Sequence, residues 1–416
     1  MPGWLALGYT LLLYALSPLL VLHVLLLGLR NRDLRYLHER LGRYRTASRR
    51  NPIWIHAASV GEVMGAEPLI RLLRQRLPDT DIILTTSTPT GGQVARQRLR
   101  PYIDQHYLPI DFPGAVRRFL RIFDPCCALI METEIWLNLY HDCARRQMPL
   151  LIVNGRLSAR TLSAPSWVRR IYAAALSHVN IILARSQRDA DGFTDLGASS
   201  ARLKVIGNIK FAASTDTASP TQPALARPYI LAASTHADEE LRLVRAWQMR
   251  DRGRHLLVIA PRHPARLKDI LRQVGPLSPH IAVRSRADAI DGATSVYLVD
   301  TLGELSGFMV NAEVVFMGGS LVPRGGHNVL EPARLGRAIV FGPHMQNFED
   351  EANTLLHYEA ARQVANDQEL ESCFTELLRS PELRVQLGNN AVAVIHKHQQ
   401  VAERYLAEIM NTCPPG

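Results

Sequence analysis

Two rhythms of apolar residues run along this chain, and the change between them falls near residue 50. Residues 1–29 hold no Asp, Glu, Lys or Arg, and positions 4–29 read WLALGYTLLLYALSPLLVLHVLLLGL. About 20 apolar helical residues cross the hydrocarbon layer of a bilayer, so this run is long enough for one anchor helix. Pro18 predicts a kink, which lipid-embedded helices tolerate. Trp4, Tyr9 and Tyr14 lean toward one end, as interfacial aromatic residues do. Beyond residue 50 short apolar runs alternate with stretches of helical spacing. Strand-like runs fall at 53–57, 81–86, 128–131, 150–154, 180–184 and 204–206, and helical stretches at 63–77, 91–99 and 112–123. Residues 213–228 are rich in Ala, Ser, Thr and Pro and interrupt the pattern as a linker does. Strand-like runs then return at 229–233, 255–260, 281–283, 295–299, 314–317 and 338–341, with a helical stretch at 238–249 and a mostly helical region over 367–410. This alternation predicts an α/β fold with parallel sheets covered on both faces. The expected division is an anchor (1–29), a basic juxtamembrane segment (30–50), one Rossmann-like domain (51–212), a linker (213–228) and a second such domain with the terminal helices (229–416).

Composition sharpens this picture in one place. The chain has 416 residues, 47% hydrophobic and 21% charged, which is ordinary globular composition. Its net charge is +10, of which residues 30–50 supply +6 through eight Arg against Asp33 and Glu39. The rest is near balance, so no nucleic-acid-binding surface is required. An Arg-rich flank after an apolar segment puts the remaining chain on the cytoplasmic side and next to an anionic lipid surface. A helix lying in the membrane plane is a second reading of the apolar segment. A cleaved signal is a third, weakened by the lack of a basic stretch before it. The five cysteines form no C-x-x-C pair, and no His, Cys or carboxylate spacing suggests a metal site.

Ligands of open parallel sheets bind beyond the carboxyl ends of the strands, and with two such domains the expected site is a cleft between them. Four strand-end segments carry candidate chemistry. In IWIHAASVGEV (53–63), Glu62 falls in a first helical turn, and small neighbours let a substrate approach. It suits a general base, and equally a helix-start carboxylate; His56 is a second candidate base, and equally a core histidine or one that supports the site. In LIMETEIW (129–136), Glu132 and Glu134 follow a buried strand and share one side if the chain stays extended. Two carboxylates there are costly unless paired or functional. In VIGNIKF (205–211), Lys210 is one of only four lysines in the chain and suits neutralising an oxyanion.

The fourth segment, MGGSLVPRGGHNVLEPARLG (317–336), is the densest. Gly318, Gly319, Ser320, Arg324, Gly325 and Gly326 precede a helix start at Asn328 with Glu331 just inside. Amides and a positive dipole end make this a phosphate-loop candidate, with Glu331 placed for ribose hydroxyls. It is neither G-x-G-x-x-G nor a Walker loop. Arg262 and His263 of APRHP and Gly303 and Glu304 of DTLGEL follow strands in the same half. This half therefore reads as nucleotide-recognising and the amino-terminal half as acceptor-holding.

The ordered set HAASVGEV, METEIW, NGRLS, GNIKF, APRHP, DTLGEL and GGHNVLEPA resembles the 3-deoxy-D-manno-octulosonic acid (Kdo) transferases of lipopolysaccharide synthesis, over nearly the whole chain. The resemblance implies a GT-B glycosyltransferase, a CMP-Kdo donor, a lipid A precursor (lipid IVA) as acceptor, and a place on the cytoplasmic face of a bacterial inner membrane. It implies no cofactor. It makes Glu62 the general base, with Glu132 and Lys210 assisting the transition state. It puts CMP at Pro261, Arg262 and His263, at Leu302, Gly303 and Glu304, and at Asn328, Val329, Leu330 and Glu331. Departures from the family pattern are Leu137 where Pro is expected, Ala212 where an acidic residue is expected, and Gly155 after Asn154. Two rival readings stay open here: a membrane-associated GT-B enzyme using a UDP-sugar, and a tethered two-domain protein that only binds a small molecule.

Overall fold

The computed structural model describes residues 3–45, 51–212, 223, 225–248, 253–278 and 280–413. Arg49 and Arg50 of the basic segment, most of the linker (213–222 and 224) and the Trp4 side chain lie outside the described residues. The chain forms two compact units, residues 1–214 with 398–416, and residues 215–397.

Unit 1 is built on seven parallel strands: β1 (Ile53–His56), β2 (Ile82–Thr86), β3 (Asp104–Tyr107), β4 (Cys127–Met131), β5 (Leu150–Gly155), β6 (Ile181–Ala184) and β7 (Leu203–Val205), in the order β3-β2-β1-β4-β5-β6-β7. Their runs of Ile, Val and Leu are buried on both sides because successive side chains alternate between faces. Ile53, Ile55, Leu129, Leu151 and Leu183 enter one core. Trp54, Ala128, Ile130, Ile152 and Ile182 enter the other. Each fully buried side chain of this kind contributes about 1.5–3 kcal/mol.

Unit 2 has a second seven-stranded parallel sheet: β8 (Tyr229–Thr235), β9 (Leu256–Pro261), β10 (Ile281–Val283), β11 (Val296–Leu298), β12 (Val314–Met317), β13 (Ala338–Phe341) and β14 (Ala361–Gln363), in the order β10-β11-β9-β8-β12-β13-β14. In each sheet the strand order turns back beside the first strand. That happens between β1 and β4 in unit 1 and between β8 and β12 in unit 2. Loops at the carboxyl ends of such strand pairs are where doubly wound sheets hold ligands.

Three expectations need correction here. The terminal helix Val401–Thr412 belongs to unit 1, not to the second domain. Val401, Tyr405, Leu406 and Ile409 fill the first core of unit 1, and the Tyr405 hydroxyl donates to Gly207 O at 2.8 Å.

The apolar amino terminus is not one helix. It is α1 (Gly3–Ala15) and α2 (Ser17–Arg30), bent by 55° where Pro18 enters the second helix, and neither is long and apolar enough to cross a membrane alone. Tyr9 and Tyr14 dock α1 on the domain. The Tyr9 hydroxyl donates to Asp111 Oδ2 at 2.9 Å, and Tyr14 stacks on Phe112. On α2, Val24 packs with Tyr36, Tyr107 and Ile110, while Leu7 of α1 and Leu19, Leu26 and Leu29 of α2 are between 59% and 66% exposed. Hydrogen bonding ties down one side and leaves a leucine-covered side bare.

Part of the basic segment is turned inward. The helix α3 (Leu34–Arg40) covers the edge strand β3. Glu39 accepts from Tyr107 N at 2.7 Å and contacts His106 Nδ1 at 3.0 Å, Arg40 donates to Leu108 O at 2.6 Å, and Arg35 donates to Gln105 O. Those groups satisfy the polar backbone and side chains of a strand edge.

Candidate active site

In unit 1, strand β1 ends at His56 and is followed by Ala57, Ala58 and the helix α4 (Val60–Arg76), capped by Ser59. Ser59 and Glu62 form a variant of the capping box in which the carboxylate reaches the residue before the cap. The Ser59 Oγ accepts from Glu62 N and donates to Glu62 Oε1 at 2.9 Å, and Glu62 Oε2 accepts from Ala58 N at 2.8 Å. Despite these donors the Glu62 carboxyl is pushed up to about 8, first by burial and then by the charges of Glu132 and Glu134. Helix-start contacts and a raised pKa therefore coexist in one carboxyl. Each carboxylate oxygen has a second lone pair for a substrate proton, and a pKa near 8 suits proton abstraction near neutrality.

The carboxylates at the end of β4 do not continue as an extended strand, contrary to expectation. Glu132 has φ +55°, a left-handed conformation, and its N–H donates to Val153 O at 2.9 Å. This turn sends the two acids to different partners. Glu132 pairs with Lys210 Nζ at 3.4 Å. Glu134 lies 3.7 Å from His56 Nε2 and accepts from Trp136 Nε1 at 3.0 Å. Burial raises the Glu134 pKa, yet His56 and Trp136 outweigh it, and the net shift is downward. The His56 Nδ1 is engaged with Thr85 Oγ1 at 2.9 Å. His56 is thus fully buried between Thr85 and Glu134 and is not open to a substrate as a second base would be.

Lys210 reaches this group because its backbone is fixed on two sides. Asn208 Oδ1 accepts from Lys210 N at 3.1 Å, and the buried Asn154 accepts from Ile209 N at 3.1 Å. Gly65 on α4 leaves room for the Lys210 stem: a Cβ there would stand 3.4 Å from Lys210 Cε. Glu62, Glu132 and Lys210, separate in sequence, therefore converge at the β1/β4 turning point. Asn154 and His56 complete the group.

In unit 2, Pro261 closes β9, and Arg262 and His263 follow it exposed. The His263 and His236 ring centroids are 5.8 Å apart. Arg262 and His263 are also close enough to His327 to lower its pKa. Leu302 is exposed and Gly303 has φ +86°, while Glu304 is held by Arg284 at 2.7 Å, which lowers its pKa. Asn328 Oδ1 accepts from Leu330 N at 3.1 Å, Val329 and Leu330 are buried, and Glu331 Oε1 accepts from Ser306 Oγ at 2.6 Å.

The glycine-rich segment is built differently from the expected phosphate loop. The helix it leads to, Leu330–Arg334, has only five residues, so its dipole is small. The amide of Gly318 donates to Ala233 O at 2.8 Å. The amides of Gly319, Ser320 and Leu321, with that of His236, all donate to the buried Glu239 carboxylate at 2.6–3.0 Å. The anion nest is filled by the protein itself. Gly325 and Gly326 serve close packing: side chains there would strike Asn347 and the Met345 Sδ at 2.3 and 2.4 Å. Glu239 and His236 had no motif to mark them, although His236 stands directly after a strand-like run.

Residues 35–213 match the family described as 3-deoxy-D-manno-octulosonic-acid transferase (kdotransferase). A 3-deoxy-D-manno-octulosonic acid transferase of Haemophilus influenzae is 33% identical over 411 residues, covering 96% of each chain. One from Bordetella pertussis is 32% identical, covering 85% of this chain and 86% of the relative. Among solved structures, a glycosyltransferase from Rickettsia africae superposes with a TM-score of 0.60 at 11% identity, covering 88% of this chain and all of that one. A UDP-GlcNAc 2-epimerase from Neisseria meningitidis, at 14% identity, has a TM-score of 0.59 over 86% of this chain and all of that one. These two likenesses show the fold. The chain belongs to the 3-deoxy-D-manno-octulosonic acid transferase family, glycosyltransferases with two parallel-sheet domains of the GT-B type.

Proposed function

We propose that the protein transfers Kdo from CMP-Kdo to a primary hydroxyl of lipid IVA by a single displacement. Glu62 removes the acceptor proton. The freed oxygen attacks the anomeric carbon with inversion, and the bond to the CMP phosphate oxygen breaks. The observation that carries this reading is a carboxyl pushed up to about 8, beside a Glu132–Lys210 pair at 3.4 Å, where strand order reverses. Lys210 is placed to offset negative charge in the transition state, and Glu132 to hold Lys210 in position.

Donor binding belongs to unit 2 in this reading. Arg262 and His263 at the end of β9, with Arg324 and the stretch Asn328–Glu331, provide the positive charge and polar contacts for a nucleoside monophosphate. The filled Gly318–Ser320 nest shifts the phosphate role onto these side chains. The bare leucines of α1 and α2 support an in-plane attachment to the inner membrane, in which a bent apolar pair dips into the interface. The adjoining arginines would lie against its anionic surface.

Incubating the protein with lipid IVA and either CMP-Kdo or a UDP-sugar, followed by mass spectrometry, tests the reading. Addition of the mass of Kdo with the CMP donor alone is expected. An unchanged lipid with CMP-Kdo, or transfer from the UDP-sugar, would overturn it.

A further inference from the structure

The loops at the β8/β12 turning point bring together two imidazoles that no part of the transfer scheme uses. His236 follows β8, whose last turn is bent at Ser234 with φ +56°. His327 follows the glycine-rich segment after β12. Their Nε2 atoms are 2.9 Å apart, the ring planes differ by 4°, and the centroids are 5.2 Å apart. That separation is little more than the N···N distance plus the two ring radii, so the rings meet nose to nose. Both pack on Gly319, where a Cβ would stand 3.2–3.3 Å from each ring.

Such a contact requires one hydrogen between the nitrogens. One ring donates from Nε2 while the other accepts there. A single added proton strengthens the bond, because the donor becomes an imidazolium; a second breaks it, because both nitrogens would then carry hydrogen. The pair is therefore a store for one proton.

The charges facing it are mostly positive. His236 is faced by His263, Arg324 and Arg266, with Glu240 opposing, while the Glu239 carboxylate accepts from its backbone N–H. Arg266 is itself tied to Glu240 at 2.9 Å. His327 is faced by His236, Arg262 and His263. Burial and these cations keep both rings below the usual imidazole range, His327 at about 4. These lowered proton affinities favour a neutral pair, and an anion bound beside it would oppose them.

We infer that His236 and His327 form a shared-proton pair in the donor site that takes up a proton when the phosphate of a cytidine nucleotide binds. The inference rests on the donor assignment to unit 2. His236 acts on the ligand through His327 and is a positioning residue.

Calorimetric titration of the full-length protein with CMP at pH 7.5, in buffers of different ionisation enthalpy, reads the linked protons directly. At that pH the CMP phosphate is already a dianion. We expect net uptake of a fraction of a proton in the wild type, with CMP binding weakening as pH rises above neutrality. His236→Gln and His327→Gln should each bind CMP with the uptake gone. Zero uptake in the wild type, or equal uptake in both variants, overturns the shared-proton pair and leaves the donor assignment standing. No CMP binding by the wild type overturns both.

Discussion

Removing the Glu132 charge should move the ascending, low-pH limb of turnover toward lower pH. Burial and two neighbouring carboxylates hold Glu62 at about 8, against an ordinary 4.5. As the base, Glu62 works only when ionised, so kcat rises with pH through about 8. At pH 7 about a tenth of the enzyme is competent, at pH 8 about half, and the plateau lies about tenfold above the pH 7 value. Glu132→Gln deletes one repelling charge and releases the Lys210 ammonium from its 3.4 Å pair, and both changes favour ionised Glu62. The Glu132 charge ranks after burial among the causes of the raised Glu62 pKa, and its removal is expected to be worth on the order of one pH unit, or about 1.4 kcal/mol. The assay is initial-rate transfer at saturating donor and acceptor from pH 6 to 9, wild type against Glu132→Gln. Saturating donor keeps proton uptake at the histidine pair out of the profile. The variant loses amplitude because Lys210 is less well held, but the limb position is read independently of amplitude. A flat wild-type profile, or a limb that moves upward in the variant, would refute the reasoning.

Other expectations follow from single contacts. Gly65→Val should displace the Lys210 stem and lower kcat by about tenfold or more, with donor KM little changed, because a Cβ already stands 3.4 Å from Lys210 Cε; steady-state kinetics checks both. Glu239→Ala should leave four backbone N–H groups without their acceptor and destabilise unit 2 by about 3–6 kcal/mol, read as early loss of unit 2 signal in chemical denaturation. Replacing Leu19, Leu26 and Leu29 with Ser should abolish flotation with vesicles containing anionic lipid, while transfer to detergent-dispersed acceptor persists.

Much of this architecture was legible because β-branched and leucine runs signal parallel strands buried on both faces. The runs at 53–57, 128–131 and 314–317 all became central strands. The strand Asp104–Tyr107 was not legible. Its DQHY carries no apolar alternation, and it is held by Glu39 and Arg40, which lie more than 60 residues earlier. The kink in the apolar amino terminus was readable from Pro18. The docking of α1 was not, since Asp111 and Asn138 are remote partners that composition cannot reveal.

The site divides in the same way. Glu62 and Lys210 were visible because each follows a strand-like run among small residues. The left-handed turn at Glu132 was invisible, because nothing local marks an acidic residue for positive φ. The glycine-rich segment misled on its amides because Glu239 fills the nest from about 80 residues away. The terminal helix is apolar on one side, and its pattern does not say which domain that side covers.

The most direct test compares wild type with Glu62→Gln for Kdo transfer from CMP-Kdo to lipid IVA, alongside CMP binding by both. The account predicts loss of transfer by at least about a thousandfold with CMP affinity nearly unchanged. Wild-type-like turnover by Glu62→Gln would contradict it.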